Sequence, residues 1–181
     1  MAEIKSTLDL VMEKTKHLTL SAEEKLQLQL QDFLKKVPGY LQRVLDGTLS
    51  PQQLLSQIQG LPHELTEAGR GEIVRQFSQA LDLTEKSDPL IPALEILADP
   101  GWTEMLAEAK RCRSEYRKVR SDRQKVARNR ILADLAASGI QGTAVVPKLE
   151  GHEFWEAEDQ RLRAPCEEQL AALREALTTD A

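Results

Sequence analysis

The chain has 181 residues, 41 % of them apolar and only 4 % aromatic, with a formal net charge of -5. That is enough apolar material for one packed domain, and with so few aromatics the core must be mostly Leu, Ile, Val and Ala, as in helical bundles. Charges within the first twenty residues, and no apolar run near the ~20 residues of a membrane span, argue against a secretory leader or a membrane partner. Two cysteines, Cys112 and Cys166, are too few for a disulfide framework, so a reduced, cytoplasmic protein is expected.

Ile4, Leu8, Val11 and Met12 recur at helical spacing over residues 2–18. Ser21-Ala-Glu-Glu24 is a capping-box pattern, in which the serine hydroxyl and the glutamate three residues on satisfy each other's backbone amides; it predicts a helix from Ala22. Leu26-Gln-Leu-Gln-Leu30 alternates with period two, but its setting of Gln, Lys and charges favours helix. Pro38-Gly39 is expected to break or bend that helix. A short helix, Tyr40 to Asp46, then ends at Gly47. Ser50-Pro51 reads as N-cap plus first helical residue, opening a helix to Gln59 that stops at Gly60. Leu61-Pro62 opens another segment, which Gly69-Arg-Gly71 is expected to interrupt before the stripe Ile73, Val74, Phe77, Ala80 and Leu81. Ser87-Asp-Pro89 and Pro92 mark a junction before a helix over Ala93 to Ala98.

The second half differs in kind. Asp99-Pro100 opens a stretch with no glycine after Gly101, and no proline, until Gly139. Trp102, Met105, Ala109, Cys112, Tyr116, Val119, Arg123 and Val126 fall at 3-4 spacing, a heptad-like seam that drifts to Ala127, Ile131 and Leu135. At 1.5 Å per residue a helix of about 36 residues spans roughly 54 Å, longer than a compact globule of this size, so an elongated molecule is expected. Residues 140–147 have weak β character but lie between glycine and proline, so they predict a loop. Helix resumes near His152, with an apolar face of Trp155, Leu162, Cys166, Leu170, Leu173 and Leu177; Pro165 is expected to kink or restart it. The fold class is therefore all-α: an elongated molecule with a short-helix body over residues 1–88, then a coiled-coil-like antiparallel hairpin over 89–181, with one continuous domain as the alternative.

Charge is unevenly placed. Residues 110–130 hold ten Lys and Arg against Glu115 and Asp122, a net of +8, which leaves -13 elsewhere. Intrahelical pairs cannot neutralise that excess. An acidic segment over residues 150–175 is one internal partner; with the turn near residue 145, Glu167 is expected near Arg123 and Asp159 near Arg130. Nucleic acid and an acidic protein are the external candidates. The surplus is expected at Arg111, Arg113, Arg117 and Arg120, with Trp102 a candidate anchor. Residue 166 would face residue 124 in that register, which separates it from Cys112. His17, His63 and His152 lie in distant segments without a metal-binding spacing, and Gly69-Arg-Gly71 and Gly139-Ile-Gln-Gly142 read as helix stops rather than phosphate loops. Glu23-Glu24 and Glu167-Glu168 read as first-turn acids. These patterns assign no catalytic residue, metal or cofactor. The expected function is protein–protein interaction or scaffolding, with self-association along exposed seam as one form of it; binding of RNA, ribosome or other nucleic acid through residues 110–130 is the alternative.

Overall fold

The computed structural model describes residues 21–97, 99–142 and 144–179; the helical pattern of residues 2–18, and His17 with it, lies outside them. All regular structure among the described residues is helical: α1 (Ala22–Leu34), α2 (Val37–Leu45), α3 (Pro51–Gln59), α4 (His63–Ala80), α5 (Leu90–Leu97), α6 (Thr103–Ala137) and α7 (Glu153–Thr179), with 3₁₀ turns at Glu85–Ser87 and Pro100–Trp102. No helix among them is long and apolar enough to cross a membrane.

Local chemistry sets most boundaries. Glu24 N–H donates to Ser21 Oγ at 3.1 Å while Ser21 N–H donates to Glu24 Oε2 at 2.7 Å. Ser50 and Gln53 form the same reciprocal pair at the start of α3, and Pro51 is its first residue. Such boxes satisfy amides that have no partner within the helix. Gly47 and Gly139 adopt positive φ, +69° and +82°, where a Cβ would be strained, and each lies just past a helix end. Where glycine is absent, arginine does the work. Arg174 donates to the Ser78 and Leu81 carbonyls at the end of α4, and Arg70 to the Leu97 carbonyl at the end of α5.

Two expected breaks are not found where the sequence pattern puts them. Pro38 lies in the first turn of α2, where its missing amide costs nothing, and the chain turns earlier, at Lys35-Lys36. Gly69 and Gly71 keep helical conformation inside α4 rather than stopping it. Gly69 is a point of close approach instead, since a Cβ there would meet Leu61 Cδ1 at 2.7 Å and Phe33 Cε1 at 3.0 Å. Pro165 lies inside α7, which does not restart there. Glu167 and Glu168 are consequently mid-helix; the first-turn acids of α7 are Glu153 and Glu156.

Helix α4 sits at the centre of the body, touching α1, α2, α3, α5 and α7. Its Ile73, Val74 and Phe77 are at most 1 % exposed. The main apolar cluster continues through Leu90, Leu94, Leu97, Trp102, Leu106 and Ala109 to Cys166, Leu170, Leu173 and Leu177 of α7. It therefore draws residues from both sides of position 88. A second, smaller cluster joins Ala127, Ile131, Leu149 and Trp155.

The seam of α6 differs from its expected course. Val119 is 41 % and Val126 64 % exposed, while the buried residues are Leu106, Ala109, Arg113, Ala127 and Ile131. A straight helix of 3.6 residues per turn drifts about 20° per heptad, so the buried line keeps Ala109, Ala127 and Ile131 of the expected seam but runs between them through Arg113 and leaves Val119 and Val126 exposed. Val126→Asp should change stability by less than about 0.5 kcal/mol, whereas Ala127→Asp should cost about 2 kcal/mol or more by burying a carboxylate. Equal costs in urea unfolding would restore the original seam.

The pairing of α6 with α7 also differs. Asp159 meets Tyr116 and Arg120 rather than Arg130, Arg123 approaches Glu158 rather than Glu167, and Cys112 packs against the cluster that holds Cys166. Leu149 and Trp155 are buried with Ala127 and Ile131, so α7 begins well down the side of α6.

A candidate interaction surface on helix 103–137

The body-proximal arginines of α6 are engaged internally. Arg113 is fully buried; its Nη2 donates to the Thr84 carbonyl at 2.8 Å and Ser87 Oγ at 2.7 Å and lies 2.9 Å from Asp88 Oδ1. Burial pushes its guanidinium pKa down and Asp88 opposes that. Arg117 grips the same carboxylate with both prongs, at 2.6 and 3.0 Å, and this hydrogen bonding raises its pKa.

The receiving turn is built beforehand. Ser87 and Thr84 hydroxyls and the Thr84 amide all donate to Asp82 Oδ1. Burial alone would raise the Asp82 pKa, but these bonds and the Arg113 charge outweigh it and hold the carboxyl low.

One turn further along, Arg120 Nε donates to Asp159 Oδ1 at 2.6 Å and its guanidinium lies over the Trp155 ring at 5.7 Å. Tyr116 hydroxyl donates to the same carboxylate at 3.3 Å, and burial, then the Asp159 charge, raises the phenol pKa. Arg111 is exposed and pairs with Glu108 on its own helix. Trp102 is buried in the main cluster. Of the five residues singled out as a surplus surface, Arg113 and Trp102 are thus interior and Arg117 and Arg120 hold acids from other elements. Arg113 presents no face to solvent; it lies on the drifted seam. Arg117 and Arg120 still line a cleft of about 470 Å³ with Lys86, Tyr116, Asp159 and Arg163.

The surplus charge lies further out. Lys118, Arg123, Lys125, Arg128 and Arg130 are all exposed. Lys125 pairs with Asp122 at 3.1 Å, both well exposed, and Arg123 is 3.6 Å from Glu158. Lys118 and Arg128 have no acidic partner among the described residues. Exposed pairs of this kind contribute about 0–1 kcal/mol, so they leave the positive field largely intact. Val119, Arg123, Val126 and Arg130 follow one another at i, i+4, i+7 and i+11, which aligns them along one flank. Beside them runs a groove of about 260 Å³ lined by Arg123, Val126, Arg130, Phe154, Trp155 and Glu158, with the Arg130 guanidinium 4.9 Å above the Phe154 ring. Sequence reasoning found the basic stretch but placed its free portion two turns too early. The exposed Val126 within it was the available clue, having been assigned to the seam. Comparisons with protein-family models, curated proteins and solved structures gave no match.

Proposed function

We propose that this protein is an interaction scaffold in which α6 and α7 form an elongated antiparallel hairpin arm, and that the arm's distal groove receives an acidic, partly apolar segment of a partner protein. The supporting observation is the division of charge along α6. Arginines next to the body hold Asp88 and Asp159, whereas the distal cations flank an exposed valine and a half-buried phenylalanine. A groove of that chemistry favours carboxylates over the arginines and an apolar side chain between them. In this reading the chain acts by binding, without catalysis.

A photo-crosslinking residue at Val126 tests it, with one at Leu28 on α1 as control. The expected result is a protein adduct from Val126 alone, resistant to nuclease and weakened about 10-fold or more by Arg123→Glu with Arg130→Glu. A nuclease-sensitive adduct whose yield falls steeply with salt would assign the face to nucleic acid instead. An adduct to a second copy, with a dimer by light scattering, would make it a self-association surface. For the arm itself, small-angle scattering should give a radius of gyration above the roughly 16 Å of a compact chain this long.

A further inference from the structure

Cys112 and Cys166 are 54 positions apart in sequence, and the fold brings both into one apolar cluster. Cys166 is 1 % exposed in the main core, and the Tyr116–Asp159 and Arg120–Asp159 hydrogen bonds set a register of α7 on α6 in which Cys112 lies level with it; both are free thiols. Cys112 is half-buried at the edge of the same cluster, within reach of solvent. Beside them lies the buried Arg113, whose Nε and Nη1 have no hydrogen-bond acceptor. A buried cation with two unused donors is costly, and a neighbouring thiolate is an acceptor it can reach electrostatically.

We infer that Cys112, Cys166 and Arg113 form a peroxide-sensitive dithiol site that closes to an intramolecular disulfide between α6 and α7. Cys112 reacts first because solvent reaches it. Its thiolate attacks a hydroperoxide: an S–O bond forms, the O–O bond breaks, and the alcohol (water, from hydrogen peroxide) leaves with the proton the thiol gave up. Cys166 sulfur then attacks the sulfenic sulfur of Cys112; the S–S bond forms, the S–O bond breaks, and hydroxide departs as water with the Cys166 proton. Two thiols are oxidised by two electrons and one peroxide is reduced.

The order of events suits the surroundings. Burial, followed by the hydrogen bond to Cys112 and the charge of Cys112, pushes the Cys166 thiol up to about 12, with Arg113 opposing. Oxidation of Cys112 removes the second and third of these causes and leaves the Arg113 charge in place, so Cys166 becomes easier to ionise once it has an electrophile to attack. Two cysteines level with one another on packed helices and in one cluster need little backbone movement to reach disulfide geometry.

The full-length reduced protein, treated with a modest excess of hydrogen peroxide and then alkylated, tests the inference. The expected product is a monomer lighter by two hydrogens, whose proteolytic digest contains a Cys112–Cys166 linked peptide that dithiothreitol separates. Its midpoint of thermal unfolding should rise by about 5–10 °C, since the bridge closes a long loop. In Cys166→Ala, peroxide should instead carry Cys112 to the sulfinic acid. Oxygen addition to wild-type Cys112 without a linked peptide, a disulfide between two chains, or two thiols still alkylated after peroxide would each overturn the proposal. The wild-type measurement stands whether or not the variant folds.

Discussion

Arg113→Ala will lower the unfolding free energy by about 3 kcal/mol or more, while Arg113→Met will stay within about 1 kcal/mol of wild type. Alanine leaves a cavity where a fully buried side chain stood; both variants remove the Nη2 donor, but the Thr84 carbonyl keeps Ser87 Oγ–H and the Ser87 hydroxyl keeps Asp82 N–H. Methionine refills most of the volume next to the apolar core and removes a desolvated charge together with two donors that have no acceptor. Asp88 is not orphaned in either variant, because it is 44 % exposed and keeps its two-pronged bond to Arg117. Urea unfolding of the three proteins decides the matter. If methionine is as damaging as alanine, the site depends on the guanidinium itself and not on filled space.

A second large effect is expected at Trp155, and it should be local. Trp155→Ala removes the largest member of a cluster that otherwise holds Ala127, Ile131 and Leu149, along with the ring beneath Arg120. Truncation of a buried tryptophan costs about 3–5 kcal/mol, more than so small a cluster can absorb. The main core is built from other residues, from Phe33 to Leu177, and does not include this cluster. Hydrogen exchange should therefore speed up in residues 127–137 and 149–158 while amides of α4 keep their protection. Uniform loss of protection, α4 included, would show that the two clusters fold as one unit. The same variant removes one wall of the distal groove, so the Val126 crosslink should be lost with it.

Much of the local architecture was legible because the signals act within one helical turn. The Ser21–Glu24 pair, the Ser50-Pro51 start and the Gly47 and Gly139 stops each satisfy or release backbone groups only a few residues away. The apolar stripe of α7 was equally plain, since Cys166, Leu170, Leu173 and Leu177 recur at 4-3-4 spacing and all are buried. Signals of the wrong range misled. Gly69 looked like a stop, but it makes room for Phe33 and Leu61, one of them 36 positions earlier in the chain. Pro165 allowed a restart of the helix, yet α7 runs on through it.

The candidate site was legible in type and not in place. Two stripes run along α6 one step apart: Met105, Ala109, Cys112, Tyr116, Val119, and Leu106, Ala109, Arg113, Tyr116, Arg120. Hydrophobicity favours the first. The fold buries Leu106 and Arg113 of the second, because Asp88 and Asp159 arrive from elsewhere to receive its arginines, and a paired arginine with its long aliphatic stem can line a core that an unpaired one cannot.

The sequence by itself determined that the chain is helical, where most helices begin and end, and that one helix carries a large excess of positive charge. Those properties follow from backbone satisfaction, periodicity and composition, all of short range. Only the tertiary structure decided which of those charges are hidden. Helix drift and the offset of α7 on α6 set that outcome together. They bring Asp88 and Asp159 to the proximal arginines, leave the distal cations beside Val126 in solvent, and place Cys112 and Cys166 in one cluster.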